Sequence, residues 1–356
     1  MNMSFVPLHP APRRILIVKP SAIGDVVHTL PILNLIKRRW PEAKISWLSS
    51  PVCAPLLEGH RQIEEVIVFN RKRYGHAWRS PTASTAFFKF IAGLRARKFD
   101  WAVDFQGLFR SGWMSWMSGA PVRVGFEDAR EGAPAFYTHC INSGGWWHQH
   151  AIGRYQHLAA ALGCENDPIE FEFAINDADR ALAARLVPPA TPYAALVPGS
   201  IWETKRWPAE KFGALVKPLR ERFGLQTVVL GGPNDIEVAG RIAADFNLAG
   251  ETSLRESIAL LERAELVIAN DSGPMHIASG LRRPLVALFG PTHPVLTGPY
   301  GRLDSVIRLD LPCSPCYGRT CFHQSCMNWL DVEAVLTLAE KQIKRYGAAS
   351  RASTPE

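Results

Sequence analysis

The sequence predicts an α/β protein built from two doubly wound domains that face each other across a cleft. Three observations carry that reading. Short apolar β-type segments alternate with helical stretches along nearly the whole chain. The alternation breaks once, at Pro188-Pro-Ala-Thr-Pro192, and then restarts. A length of 356 residues suits two domains, each able to bury its own core.

Residues 1–12 carry three prolines and no apolar run, so a flexible tail is expected there rather than a signal segment. The first domain is expected over 13–187. Its strands read as Ile15–Val18, Lys44–Leu48, Glu65–Phe69 and Trp101–Asp104. A helix begins near Asp25, and Pro31 should kink or restart it. An Ala-rich helix over 177–186 closes this domain. The second domain is expected over 188–330, with strands at Tyr193–Val197, Thr227–Leu230, Leu266–Ala269 and Pro284–Phe289. Helices fall between them at 209–223, 234–245 and 254–263. A last helix, 331–346, is expected to pack back on the first domain, with a loose tail over 347–356.

Composition narrows the function classes. The chain is 47% hydrophobic, and its 40 Lys+Arg against 33 Asp+Glu give a net +7, which favours anionic partners. No run of 18 apolar residues exists to span a membrane. Seven cysteines without an export signal fit a reducing cytoplasm. The dinucleotide-binding, P-loop, nucleophile-elbow and zinc-protease motifs are all absent. The charge alone does not make a nucleic-acid partner, and none is expected.

Three strand-to-helix loops carry the chemistry. Lys19, Ser21 and Asp25 emerge together at the carboxyl end of the first strand, where open α/β sheets place ligands. A carboxylate there can take a proton from an incoming hydroxyl. After the first strand of the second domain, Ser200, Thr204 and Lys205 bring hydroxyls and a cation to a strand end, and Lys205 would neutralise charge on a departing diphosphate. Gly231 and Gly232 allow close backbone approach to a nucleotide. Asp271-Ser272-Gly273 opens a helix, whose free amides and positive end seat phosphate. A carboxylate should not face phosphate, so the Ser272 and Gly273 amides are expected on the diphosphate and Asp271 on sugar hydroxyls.

These motifs, taken in order with Leu288-Phe-Gly-Pro-Thr292, resemble the bacterial lipopolysaccharide heptosyltransferases, family 9 glycosyltransferases with the GT-B fold of two Rossmann-like domains. The resemblance runs from about Arg14 to Trp329. It implies an ADP-activated L-glycero-D-manno-heptose donor on the second domain and an anionic lipid A–Kdo acceptor on the first. It also implies inversion at the anomeric carbon, no required metal, and work at the cytoplasmic face of the inner membrane. On it, Asp25 resembles the general base, Lys205 the cation on the leaving ADP, and Asp271, Ser272, Gly273 and His276 the donor contacts. Within the family, Asp104-Phe-Gln106-Gly, Ala129-Arg130-Glu131 and the basic run Arg71-Lys-Arg73…Trp78 resemble the type I enzymes that add the first heptose to Kdo. This makes Lys19, Ser21, Arg71, Arg73, Gln106 and Arg130 the expected acceptor contacts. Asn247-Leu-Ala-Gly-Glu-Thr252 and the Asn270-Asp-Ser-Gly motif look more like type II. A non-catalytic nucleotide-sugar binding protein is the rival outside catalysis.

Cys313-x2-Cys316-x4-Cys321-x4-Cys326 has zinc-knuckle spacing with Cys in place of the usual His. Similar cysteine-rich ends recur in the family, so free or partly paired thiols are expected rather than zinc. Trp113 and Trp116, at helical spacing, are expected in the first domain's core, with rest at a bilayer surface beside Arg and Lys as the alternative, while Trp146-Trp147 admits both readings equally.

Overall fold

The computed structural model describes residues 9–351, apart from 76–79, 144, 146, 147 and 166; for 348–351 it describes the backbone alone. Trp78, Trp146 and Trp147 therefore lie outside the described residues. The chain divides into two units, Met1–Ala174 and Ile175–Glu356.

In the first unit, β1 (Arg14–Val18), β2 (Lys44–Ser49), β3 (Glu65–Val68), β4 (Trp101–Asp104), β5 (Val122–Phe126) and β6 (His139–Ile141) form one sheet. Its order is β3-β2-β1-β4-β5-β6, parallel throughout. Parallel strands need crossover helices. Here these include α1 (Ile23–Arg39), α2 (Arg71–Tyr74), α3 (Pro81–Ala96) and α4 (Phe109–Met117), while α5 (Ala151–Ala161) follows β6 and packs against α1. Helix α1 runs through Pro31 without restarting, and it stays continuous with its middle buried on the sheet. Ile91 and Leu94 of α3 and Met114 of α4 pack on Leu16, Val18, Leu48 and Ala102 of the strands. Strands β5 and β6 escape a sequence reading because Arg123 and Gly125 interrupt the apolar run and β6 has only three residues.

The second unit repeats the plan. It begins with α6 (Asp177–Leu186), followed by β7 (Tyr193–Val197), α7 (Ala209–Phe223), β8 (Gln226–Val229), α8 (Ile236–Gly240), β9 (Phe246–Asn247) and α9 (Leu254–Arg263). Then come β10 (Leu266–Asn270), α10 (Gly273–Gly280), β11 (Leu285–Leu288), α11 (Pro294–Thr297), β12 (Val306–Ile307), α12 (Ser325–Asn328) and α13 (Val332–Arg351). The sheet order is β12-β11-β10-β7-β8-β9, again parallel.

Three details differ from expectation. Helix α6 belongs to the second unit, not the first, because Arg180 and Asp179 pair with Glu262 and Arg255 of α9. Helix α8 stops at Gly240 because Asp245 is drawn to the edge of β8, where it accepts from Thr227 N at 2.8 Å and Thr227 Oγ1 at 2.9 Å. Helix α13 places Val335, Leu336 and Ala339 in the second unit's own core, beside Leu288 of β11 and Leu215 of α7. It runs to Arg351, beyond the expected end.

Candidate active site

In the first unit the site grows from the carboxyl end of β1. Asp25 is the third residue of α1 rather than its cap, which is Ala22. Its Oδ2 accepts from the Ala22 amide at 3.3 Å and lies 3.6 Å from Lys19 Nζ. The carboxylate is still 46% exposed, available to a proton from outside.

Lys19, an expected acceptor contact, lies inside the unit: it is 3% exposed, and its ammonium donates to the Phe105 carbonyl at 3.1 Å. Burial alone would lower its pKa, but Asp25 and Tyr155 outweigh that and raise it, so the amine stays charged. A lysine that follows a buried strand directly is carried into the interior with it, and here it serves as the internal counter-ion of Asp25.

Asp104, at the end of β4, is fully buried, and burial raises its pKa. It survives there because Tyr137 Oη donates at 2.7 Å and the amides of Gln106 and Gly107 donate at 2.8 and 3.1 Å. Tyr137 can reach it because residue 125 is glycine: a Cβ there would stand 2.3 Å from the Tyr137 ring. The Asp104 turn in turn holds Gln106, whose Oε1 accepts from the Ser21 amide at 3.3 Å. Arg130 joins through its amide on the Gly107 carbonyl at 2.9 Å. A shallow cavity lies among Ser21, Leu48, Phe69, Gln106 and Arg110. Ser21, Asp25, Gln106 and Arg130 thus gather at one end of the sheet. Arg71 and Arg73 stand exposed on α2, and the Arg71 charge, after burial, helps lower the pKa of Arg110. Arg110 was not singled out from the sequence, because one arginine at a helix start carries no pattern.

In the second unit the corresponding loops follow β7 and β10. Asn270 ties them, donating to the Pro198 carbonyl at 2.7 Å and accepting from the Trp207 amide at 3.1 Å. Lys205 Nζ sits 2.6 Å from Asp271 Oδ2, and Thr292 Oγ1 donates to the same oxygen at 2.6 Å. Asp271 is 5% exposed, so its charge is balanced within the protein. Trp202 supports the cation, with Lys205 Nζ 4.6 Å and Arg319 Cζ 4.9 Å from its ring centroid.

The hydroxyls expected on the donor also hold the loops together: Ser200 Oγ donates to the Asp271 carbonyl at 3.1 Å and Thr204 Oγ1 to the Gly318 carbonyl at 2.7 Å. Ser272 caps α10 through its backbone only; its Oγ is buried and without a hydrogen-bond partner among the described residues. An orphaned hydroxyl beside the amides of a helix start is the observation that best marks a ligand seat. His276 lies buried in the same helix. A Cβ at Gly231 would meet the Asp235 side chain at 2.8 Å, so this glycine makes room for Asp235. Gly232 donates to Asp235 Oδ2 at 3.0 Å.

The four clustered cysteines are free thiols, with Cys313 and Cys316 exposed and Cys326 buried. Among the described residues, no three His, Cys, Asp or Glu side chains are arranged to hold a metal. Cys326 and Met327 pack on Gly290, where a Cβ would meet Met327 Sδ at 2.5 Å, so the end of the motif serves the core. Of the tryptophans placed in the core, Trp113 is half-buried against Phe87 and Trp116 is largely exposed.

Residues 87–327 match the family model described as Glycosyltransferase family 9 (heptosyltransferase). The chain is 32% identical over 318 residues to lipopolysaccharide heptosyltransferase 1 of Pseudomonas aeruginosa, covering 87% of this chain and 88% of that protein. It is 27% identical over 325 residues to lipopolysaccharide heptosyltransferase 2 of Salmonella typhimurium, covering 83% and 88%. The solved structure of E. coli heptosyltransferase WaaC with ADP superposes with a TM-score of 0.76 at 28% identity, covering 92% of this chain and 99% of that one.

Proposed function

The chain belongs to glycosyltransferase family 9 and is a heptosyltransferase of lipopolysaccharide core synthesis with the GT-B fold, and from that premise we propose that it transfers L-glycero-D-manno-heptose from ADP-heptose to the Kdo of lipid A–Kdo. Family membership makes it an enzyme and leaves no place for a non-catalytic binding protein. The acceptor hydroxyl attacks the anomeric carbon, the carbon–oxygen bond to the β-phosphate breaks, and ADP leaves with the electron pair. Asp25 takes the hydroxyl proton, and configuration inverts. Lys205 meets the charge that gathers on the departing diphosphate, exchanging part of its contact with Asp271 for it. The Ser272 and Gly273 amides seat the diphosphate. Asp271 is better suited to hold Lys205 in place than to bind sugar hydroxyls, because its Oδ2 is already shared by two partners.

The observation that carries this reading is the exposed Asp25 carboxylate held by a buried ammonium at the end of β1. Ser21, Gln106, Arg130, Arg71 and Arg73 are the acceptor contacts, with cations suited to Kdo carboxylates and phosphates. No metal is required. Because the acceptor is anchored in lipid, the enzyme works on the cytoplasmic face of the inner membrane. The first-unit motifs favour the type I acceptor. Purified lipid A–Kdo and a core already carrying one heptose, each offered with ADP-heptose, test this: transfer to the first supports it, and transfer to the second alone makes the enzyme type II.

A further inference from the structure

We propose that the outer face of α3 and α4 is the surface by which the protein rests on an anionic bilayer. The inference rests on the proposed function only in that a lipid-anchored acceptor brings the enzyme to a membrane.

Helices α2, α3 and α4 contain six Lys or Arg, namely Arg71, Lys72, Arg73, Lys89, Arg95 and Arg110, and no Asp or Glu. Three large rings stand out from the same layer: Phe88 is 69% exposed, Phe109 52% and Trp116 46%. Ring contacts support them in two groups. Phe88 meets Phe87 at 6.1 Å, Phe87 stacks on Trp113 at 5.7 Å, and Phe109 and Trp116 both contact Phe136, at 5.3 and 6.4 Å. On α4 the positions 109, 113 and 116 fall on one stripe. The inward side of these helices is already supplied by Ile91, Leu94 and Met114, so the exposed rings are not needed to cover the sheet.

Aromatic rings among basic residues, with no acidic side chain in the three helices, match the headgroup region of a bilayer. The rings enter the interface and the cations meet lipid phosphates. Glu131, which accepts from the Phe109 amide, is the acidic side chain recorded against α4, and the positive excess that remains works against the other obvious occupant, a second copy of the same face. Among the described residues no helix is long and apolar enough to cross a membrane, so contact of this kind would be peripheral.

The test is flotation of the purified full chain with phosphatidylglycerol/phosphatidylethanolamine vesicles and with phosphatidylcholine vesicles, with no acceptor or donor present. Native protein should float with the anionic vesicles, less so as salt rises, and should stay behind with the neutral ones. The triple variant Phe88→Ser/Phe109→Ser/Trp116→Ser should lose at least about tenfold in apparent affinity, and Lys72→Glu/Lys89→Glu a similar amount. The triple variant should keep transfer to a deacylated, water-soluble acceptor within about twofold of native, which shows that it is folded. Equal flotation of native and triple variant, equal binding to both vesicle types, or no binding by native protein would overturn the proposal. So would a dimer in sedimentation that the triple variant abolishes, which would assign the face to a second copy. Loss of transfer by native protein on the soluble acceptor would instead refute the function reading and leave the vesicle result standing.

Discussion

Replacing Lys205 by Met should separate two roles that one side chain plays. The 2.6 Å pair with Asp271 is partly screened, since Lys205 keeps 16% exposure. At an effective dielectric of about 20 two charges at this distance attract by roughly 6 kcal/mol, most of which offsets desolvation. Among the described residues, Lys205→Met leaves a buried carboxylate with the Thr292 hydroxyl as its hydrogen-bond donor. That should cost about 3 kcal/mol, a Tm lower by roughly 6–12 °C for a domain of this size. Turnover should fall by about 10²–10³-fold, because the cation that meets the leaving diphosphate is gone. Adding Asp271→Asn removes the stranded charge. The double variant Lys205→Met/Asp271→Asn should recover most of the lost Tm and almost none of the turnover. Thermal melts and steady-state transfer from ADP-heptose on native, both single variants and the double variant read both quantities. If turnover returns with stability in the double variant, Lys205 is only a structural partner of Asp271 and the leaving-group role is refuted.

Other outcomes follow from the same geometry. Lys19→Met should lower kcat by about 10²-fold, with the acceptor KM within about twofold, because the ammonium positions Asp25; a raised acceptor KM at unchanged kcat would restore Lys19 as an acceptor contact. Gly125→Ala forces a Cβ to 2.3 Å from the Tyr137 ring and should cost about 3 kcal/mol, read by chemical denaturation; a loss below about 1 kcal/mol would show that Tyr137 moves freely away from Asp104. Burial, partly opposed by Glu172, lowers the pKa of His60. Its contribution to stability is therefore present above the unfolded value of about 6.5 and is lost as pH falls through the lower folded value. Denaturation of His60→Gln across that range should show a flatter acid slope than native, and parallel slopes would remove His60 from the account.

Local signals carried much of this structure into view. Apolar runs followed by loops rich in Gly, Ser and Pro marked β1, β7 and β10, and those loops hold the site residues. Partnerships between distant loops were not legible. Nothing in the order of residues says that Thr292 and Lys205 share one oxygen of Asp271, or that Gly125 is small so that Tyr137 can hold Asp104. The burial of Lys19 was hidden too, because charge suggests surface, whereas the strand before it carries it inward. Trp116 misled in the opposite direction, since helical spacing speaks to which residues share a face and not to whether that face is covered. Edge strands of two or three residues, such as β9 and β12, take their conformation from the neighbour they pair with and leave no pattern of their own.

The central claim is that Asp25 is the general base of heptose transfer, and one comparison tests it most directly. Native protein and Asp25→Asn are each given ADP-heptose and purified lipid A–Kdo, with donor affinity measured alongside. The account predicts a fall in kcat of about 10²–10⁴-fold with donor Kd within about twofold of native. Transfer by the variant within about threefold of native would contradict it.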